Sequence, residues 1–475
     1  MIGRHVTVYA VARGGAGVLN FCAVALYTRL LLPEEYGRYA LLMASAGVIG
    51  AILFQWLRSG ARRFLLSYRD DRAAFLASLG RAYLLSILTL AVLTAAMAVA
   101  VSGSQLRWLI LLGFALLVVQ GWFDLNLELL LANLEPVRYG WFALGRSLLG
   151  FATGAALAWK GFGAVGVAIG AVIGYAIPAA VFTIDRWREV RLAAASPDME
   201  RVLLGYGLPL TATFALDFVV GYSDRLLVGV LAGLGEAGRY AVAYDLPQQT
   251  ITAVLMIVNL ASFPLVVRAL EEQGFAGATP HILRHGTLIA LLGLPAMVGL
   301  ALLAPNTAHV FLGVEFRDGA ARLIPVIAVA ALIAGLKSFF FDLSFQLGRN
   351  TQTQIWVSGF AAILNVLLNL WWIPTLGGLG AAYATLVAFT VGLGLSWGLG
   401  QRRLPLPLPV RDWVKIAIAA AIMGLAILPL VGLRGPLGLA LQVAAGGLSY
   451  GLLLLTFNVL GLRQRAVALA RRRRP

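Results

Sequence analysis

Long apolar runs follow one another along the chain, separated by short polar segments that contain most of the charged residues. Runs of about 18 to 25 apolar residues are long enough to cross about 30 Å of hydrocarbon as α-helices. Residues 84–101 show no alternation of apolar and polar positions, which strands of a membrane barrel would need. The pattern therefore predicts an all-α integral membrane protein.

The apolar runs predict about fourteen transmembrane helices. They lie near residues 7–30, 39–61, 79–101, 107–132, 140–158, 163–184, 204–232, 240–268, 283–304, 321–347, 354–373, 379–400, 412–432 and 437–461. Composition agrees with this interpretation, because 60% of the residues are hydrophobic and only 12% are charged. Little sequence remains for domains outside the membrane.

Lysine and arginine residues in the loops predict the orientation, because basic loops tend to stay on the cytoplasmic side. The side that would contain both termini includes two basic segments, residues 58–81 and the tail from Arg463 onward. Loops on the opposite side contain few basic residues. We therefore expect both termini to be cytoplasmic and the basic tail to face anionic lipid.

Three short motifs occur twice in the same order. The pairs are EYGRYA at 35–40 with EAGRYA at 236–241, WFDLNLELL at 122–130 with FFDLSFQLG at 340–348, and GAVGVAIGAVIGY at 163–175 with GGLGAAYATLVAF at 377–389. The second pair aligns Asp124 with Asp342, and the third aligns two ridges of small residues that would let membrane helices approach closely. Three matches in one order indicate an internal duplication.

The duplication predicts the domain organisation. Residues 1–200 and 201–410 would each form a six-helix lobe, and residues 411–475 would add two transmembrane helices and a basic cytoplasmic tail. Because six is an even number, the two lobes would insert as parallel repeats around a central cavity, an arrangement typical of transporters. The repeated EYGRYA motif would mark the outer turn after the first helix of each lobe, with glycine in the turn and tyrosine at the membrane interface.

Several other classes of site have little support in the sequence. The single Cys22 excludes an intrachain disulfide, and His281 with His285 has helical metal-ligand spacing but no third ligand nearby. The GxGxxG match at 161–166 leads into a membrane-length helix rather than a dinucleotide-binding unit, and no Walker A motif occurs. We therefore expect no cofactor, no metal and no nucleic-acid partner.

Three longer segments resemble a known family: RLLLPEEYGRYALL at 29–42, DRLLVGVLAGLGEAGRYAVA at 224–243 and PTLGGLGAAYATL at 374–386. They are similar to Wzx-type polysaccharide flippases of the multidrug/oligosaccharidyl-lipid/polysaccharide (MOP) superfamily. The resemblance implies movement of undecaprenyl-pyrophosphate-linked oligosaccharide from the cytoplasmic to the periplasmic leaflet of a bacterial inner membrane, coupled to an H⁺ or Na⁺ gradient. It also implies a role in O-antigen, capsule or exopolysaccharide synthesis, beside glycosyltransferases and a polymerase.

Three alternatives remain open at this point. A multidrug/toxin exporter normally has twelve spans, so the additional pair after residue 411 favours a lipid-linked substrate. A lipid II flippase shares the superfamily. A membrane polymerase or ligase would usually have a long periplasmic loop with catalytic groups, whereas the longest outer loop, 305–320, is short and has one histidine, His309. We therefore expect a transporter and not an enzyme.

Cations within the spans are candidates for binding pyrophosphate or acidic sugar, since charges inside a membrane usually face a wet cavity. The candidate substrate-binding residues are Arg13, Asn20, Arg225 and Lys337. Arginine suits phosphate because its planar fork can donate to two oxygens. The alternative is structural pairing, because Arg225 follows Asp224 and Lys337 lies one to two turns before Asp342.

Carboxylates within the spans are candidates for carrying the coupling ion. These residues are Asp124, Asp217, Asp224 and Asp342. A carboxylate in a desolvated cavity can bind a proton or hold sodium. The alternative interpretation is that these groups neutralise nearby cations. For Asn365 and Asn369, hydrogen bonding between helices is the favoured interpretation over sugar binding.

Replacing Arg13 by alanine should abolish polymer export, because the pyrophosphate would lose a bidentate cation. Export is measured as surface polysaccharide, and membrane abundance of the variant is measured in parallel. Unchanged export at normal abundance would remove Arg13 from the substrate site.

Overall fold

The computed structural model describes the backbone of residues 2–68, 70–101, 103–133, 135–348 and 350–464. It also describes the side chains of these residues, except those of 2–13, 16, 104–106, 210, 212–220 and 351. Within this part of the chain every regular element is a helix, and no strand occurs.

The helices follow the apolar runs of the sequence. The first seven are α1 (Ile2–Leu30), α2 (Pro33–Phe64), α3 (Arg72–Ala100), α4 (Ser104–Ala132), α5 (Pro136–Leu157), α6 (Gly163–Trp187) and α7 (Pro197–Leu231). The others are α8 (Leu234–Pro247), α9 (Ala253–Leu302), α10 (Ala304–Phe311), α11 (Val314–Leu336), α12 (Leu343–Leu347), α13 (Thr351–Leu376), α14 (Gly378–Arg403), α15 (Val410–Ile427) and α16 (Pro436–Thr456). Three π-helical turns, Ala158–Phe162, Gln248–Thr252 and Lys337–Phe341, follow α5, α8 and α11.

Ten helical segments of the described chain are long and apolar enough to cross a membrane. Two of them are longer than one crossing: Pro136–Trp187 and Leu234–Leu302. Each is interrupted at a glycine with positive φ, Gly161 at 89° and Gly274 at 70°, where the chain leaves the helical conformation. Dividing these two segments and adding α1 and α7 gives fourteen long helical segments, at the predicted positions. The predicted all-α membrane fold is confirmed.

The chain packs as two compact units, Met1–Gly238 and Arg239–Pro475. In the first unit α2 lies along α7, and α5 lies along α6 and α1. In the second, α14 packs on α13 and α11, while α15 packs on α16 and α9. The two units are defined by packing, whereas the predicted lobes 1–200 and 201–410 are defined by the sequence repeat. The lobes therefore remain a prediction.

The backbone supports the alignment of the third motif pair. Gly163 has φ 54° and ψ −139°, and Gly377, its counterpart at an offset of 214 residues, has φ 58° and ψ −136°. Each of these glycines lies where a long helix begins, at α6 and α14. This region of φ favours glycine because a Cβ atom would be strained there. Two aligned glycines with the same unusual conformation agree with a duplicated segment.

The glycines of the EYGRYA and EAGRYA motifs do not form turns, contrary to the expectation from sequence. Gly37 lies inside α2 and Gly238 inside α8, and the two helices meet at these positions. A Cβ atom on Gly37 would overlap the carbonyl oxygen of Leu234, and one on Gly238 would overlap that of Pro33. The two contacts are reciprocal under the repeat offset of 201 residues, so close packing explains why both copies have glycine.

The other letters of this motif also have packing roles. The carboxylate of Glu35 accepts a hydrogen bond from the Leu32 amide at 3.3 Å and caps the start of α2. Tyr240 is fully buried and packs beside Tyr244, with ring centroids 5.8 Å apart. The expected interfacial anchor is therefore wrong for Tyr240, whose ring belongs to the core.

The predicted small-residue ridge of α6 is confirmed. A Cβ atom on Gly170 would overlap the backbone of Gly154, and one on Gly174 would overlap the backbone of Gly150, so α5 and α6 approach at glycine-to-glycine contacts. Such close approach increases van der Waals contact between the helices. This contact matters in lipid, because the hydrophobic effect does not drive helices together there.

Replacing Gly170 by alanine should lower stability by about 1–3 kcal/mol, because the new methyl group meets backbone atoms that cannot rotate away. The matched control is Gly394→Ala, in α14, where the space beside the glycine is open. Thermal unfolding in detergent measures both. Equal melting temperatures for the two variants would contradict the close α5–α6 packing.

Candidate functional site

A buried ion pair lies at the π-helical turn that follows α11. The Nζ atom of Lys337 lies 2.9 Å from Oδ2 of Asp342, and both side chains are almost completely buried. The amide of Asp342 donates to the carbonyl oxygen of Lys337 at 2.8 Å and closes the turn. The turn therefore holds the two charges together at its ends.

Neutral groups on α13 and α14 complete the surroundings of this ion pair. Ser396 donates to Oδ1 of Asp342 at 2.6 Å, and Gln354 lies 3.5 Å from Oδ2. Ser358 lies 3.5 Å from the Lys337 amino group. A buried charge pair is tolerated when its remaining hydrogen-bonding capacity is satisfied in this way.

A second cluster of charges joins α2 and α4 in the first unit. The guanidinium of Arg62 donates to both oxygens of Glu128, at 2.7 and 2.5 Å. Arg58 lies 3.4 Å from Asp124 and 3.7 Å from Glu128. The two arginines and the two acids each have i, i+4 spacing, so the pairs match along the facing sides of the helices.

A third arginine extends this cluster toward α5 and α6. Arg146 donates to the hydroxyl of Tyr175 at 2.6 Å, with its guanidinium 4.9 Å from the tyrosine ring centroid. Arg146 also interacts electrostatically with Asp124. Three arginines and two carboxylates give this cluster a formal charge of +1. In addition, the buried Nε of Arg58 has no hydrogen-bond acceptor within the part of the chain that the structure describes.

The sequence model of a family described as "Polysaccharide biosynthesis protein" matches residues 26–321. This match covers more than half of the 475 residues. The chain belongs to this polysaccharide biosynthesis protein family. This membership confirms the assignment to polysaccharide biosynthesis that the resemblance to Wzx-type flippases implied.

A curated relative of this polysaccharide biosynthesis protein is the probable flippase AglR of Haloferax volcanii. The two are 24% identical over 253 residues, which is 50% of each chain. The chain therefore spans about half the length of the curated relative that it matches.

Solved structures of the same fold include two kinds of transporter. The lipid II flippase MurJ in an inward closed conformation superposes with a TM-score of 0.78 at 16% identity, covering 95% of this chain and 99% of MurJ. An inward-facing MATE family multidrug transporter of the MOP superfamily gives 0.64 at 16% identity, covering 82% and 94%. At these identities the comparison establishes the fold of this multi-pass membrane protein.

The structure brings some of the sequence-predicted site residues together. Lys337 and Asp342 form the buried pair described above, and Asp124 pairs with Arg58. Arg225 places its guanidinium 5.6 Å from the ring centroid of Tyr222. These placements do not test a role in binding or coupling, which remains a proposal.

The remaining predicted residues of the substrate and coupling sites lie on α1 and α7. Asn20 is exposed on α1, and Asp224 is buried on α7. The side chains of Arg13 and Asp217 lie outside the described residues. Asn365 donates to Thr385 at 3.3 Å and accepts from Asn369 at 3.1 Å, which agrees with the helix-bridging interpretation.

Sequence reasoning missed Arg58, Arg62 and Arg146 in this family member. Both were counted with the basic cytoplasmic segment 58–81, although the predicted span 39–61 includes Arg58, whereas α2 continues to Phe64. The matched i, i+4 spacing of Arg58 and Arg62 with Asp124 and Glu128 was an available signal. No comparable sequence pattern identifies the pairing of Arg146 with Tyr175.

Replacing Lys337 by methionine should destabilise the protein by about 3–5 kcal/mol, because Asp342 would remain buried without its counter-ion. The double variant Lys337→Met with Asp342→Asn should recover most of that loss. Thermal unfolding of the purified protein measures both.

The matched control is Arg268→Ala, which breaks the exposed pair with Glu272 and should leave the melting temperature unchanged. A double variant as unstable as the single one would contradict mutual compensation of the two charges.

Proposed function

We propose that this protein is a flippase for undecaprenyl-pyrophosphate-linked oligosaccharides, moving them from the cytoplasmic to the periplasmic leaflet for O-antigen, capsule or exopolysaccharide synthesis. Membership of the polysaccharide biosynthesis family carries the proposal. The names of the flippases AglR and MurJ agree with it. In this proposal both termini are cytoplasmic, the protein is not an enzyme, and glycosyltransferases and a polymerase act before and after it.

The arginine cluster of the first unit supports an anionic substrate. Arg58 and Arg146 lie on different helices. Together with Arg62 they provide three positive charges, one more than the two nearby carboxylates neutralise. We assign Arg58 and Arg146 to the pyrophosphate, together with the earlier candidates Arg13, Asn20 and Arg225. Among the described residues the Nε atom of Arg58 has no acceptor, so a phosphate oxygen could accept a hydrogen bond from it.

The Lys337–Asp342 pair suits coupling better than permanent substrate binding. Its ammonium is already engaged at 2.9 Å, so Lys337 would reach a substrate only after Asp342 releases it. Proton binding by Asp342, or sodium in place of the ammonium, would produce this release. We propose the same coupling function for Asp124, Asp217 and Asp224, whose H⁺ or Na⁺ would link the gradient to transport.

Replacing Arg146 by glutamine should reduce polymer export about ten- to a hundredfold, the loss expected for a charge-assisted bond to phosphate. Arg146→Lys should retain part of the export, since it keeps the charge. Membrane abundance of each variant is measured beside surface polysaccharide.

The control is Tyr175→Phe, which removes the same hydrogen bond but leaves the charge of Arg146 in place. Export should be nearly normal in this variant. Equal losses in Arg146→Gln and Tyr175→Phe would show that the arginine only supports the packing of α5 on α6.

Deleting the gene should cause lipid-linked oligosaccharide to accumulate in the cytoplasmic leaflet, and restoring the gene should relieve the accumulation. The measurement is the amount and sidedness of undecaprenyl-pyrophosphate oligosaccharide in isolated membranes. Normal periplasmic presentation in a deletion strain without a redundant flippase would reject the proposal and favour drug export or a later enzymatic step.

A further inference from the structure

His285 lies in the second half of α9, beyond the break at Gly274, and its side chain is completely buried. Its Nδ1 lies 2.5 Å from the hydroxyl of Ser262, in the first half of the same helix. Its Nε2 lies 2.6 Å from the carbonyl oxygen of Phe339, within the π-helical turn after α11. The imidazole therefore bridges both halves of α9 and the turn that holds Lys337 and Asp342.

The two partners of the ring have different hydrogen-bonding abilities. The carbonyl of Phe339 can only accept, so Nε2 has to carry a hydrogen whether the ring is neutral or charged. The hydroxyl of Ser262 can donate or accept, and it also lies 2.6 Å from the carbonyl oxygen of Val258. Nδ1 is therefore the position where a proton can be gained or lost.

Both protonation states satisfy every group in this arrangement. In the neutral ring, Ser262 donates to Nδ1. In the charged ring, Nδ1 donates to Ser262, whose hydroxyl hydrogen turns to the Val258 carbonyl. The change requires rotation of one hydroxyl group and no backbone movement, so a buried site can accept a proton without leaving an unsatisfied donor.

The residue next to His285 also packs against the π-helical turn and α15. The next residue, Gly286, lies against the Phe340 ring, and its carbonyl accepts from the indole of Trp413 at 3.0 Å. Trp413, on α15, also contacts the rings of Phe340 and Phe341. A change in the bond from His285 to the Phe339 carbonyl would therefore act directly on the π-helical turn.

Charged groups surround the site on each element packed against it. On α15, Asp412 lies 3.5 Å from Thr287, two residues beyond His285. Lys337 in the π-helical turn and Asp342, directly after it, pair with each other. On α9 itself, Arg284 is exposed, as is the pair of Arg268 with Glu272.

We propose that His285 is a proton-binding site whose charged form strengthens the hydrogen bond to the Phe339 carbonyl and so controls the turn that pairs Lys337 with Asp342. A charge-assisted bond of this type is about twice as strong as a neutral one. The role of this site in transport rests on the proposed flippase function, whereas proton binding itself does not.

The first test is a titration of the full-length protein in lipid nanodiscs, with ¹⁵N-labelled histidine observed by NMR. The chain has only four histidines, so the spectrum is simple. His285→Gln identifies the signal, and His281→Gln, one turn earlier and exposed, is the matched control. We expect the His285 ring to change reversibly from neutral to charged as the pH is lowered from about 8 to about 5. A ring that stays neutral throughout would overturn the proposal.

The second test replaces Ser262 by alanine, which removes the only group that accepts from Nδ1 of the charged ring among the described contacts. The His285 midpoint should move to lower pH by about one unit, because the charged ring loses a charge-assisted bond to Ser262 whereas the neutral ring loses only a weaker neutral bond. An unchanged midpoint, in a variant whose thermal unfolding is normal, would show that Ser262 does not accept a hydrogen bond from the protonated Nδ1 atom. That result would reject the proposed proton-binding arrangement.

The third test concerns the link to transport and uses vesicles that contain the protein and an undecaprenyl-pyrophosphate disaccharide. Wild-type flipping should vary with pH around the His285 midpoint, and His285→Gln should remove this dependence while His281→Gln retains it. Flipping with the same pH profile in both variants would overturn the link. A wild-type protein without flipping would reject the proposed function and leave the NMR result to decide proton binding.

Discussion

A charge inside the hydrocarbon region needs a partner on a neighbouring helix, and this requirement organises both units of the structure. In the first unit Arg58 and Arg62 of α2 face Asp124 and Glu128 of α4. In the second, the π-helical turn brings Lys337 onto Asp342, and neutral groups of α13 and α14 surround the carboxylate. The same groups that fix the helices are therefore those that a charged substrate or a coupling ion could displace.

Glycine provides the complementary constraint, because helices in lipid associate through close packing rather than through exclusion of water. Gly150, Gly154, Gly170 and Gly174 bring α5 and α6 into backbone contact. The motif that occurs twice, EYGRYA and EAGRYA, has the same explanation, since Gly37 and Gly238 each leave room for a carbonyl oxygen of the other helix. Short polar motifs in a hydrophobic chain can thus record packing geometry and need not contain catalytic chemistry.

Much of the fold could be predicted from the sequence, since membrane-length apolar runs leave the backbone few alternatives to helix. The spacing of Lys337 and Asp342 also indicated their pairing. The break at Gly274 falls between the predicted spans 240–268 and 283–304, whereas the π-helical turn before Asp342 lies within the predicted span 321–347, where the apolar run shows no change. Arg146 with Tyr175 and His285 with Ser262 depend on contacts between residues far apart in sequence, which no local pattern records.

The central proposal is that this chain moves a pyrophosphate-linked glycolipid between leaflets by means of arginines on its membrane helices, Arg58 and Arg146 among them. The most direct measurement is the transfer of an undecaprenyl-pyrophosphate disaccharide across liposomes containing the purified protein, followed by its accessibility to an impermeant sugar-binding lectin. The account predicts protein-dependent transfer that falls at least about tenfold in Arg146→Gln and persists in Tyr175→Phe. Transfer equal to that in protein-free liposomes, from protein shown to be folded and correctly inserted, would contradict it.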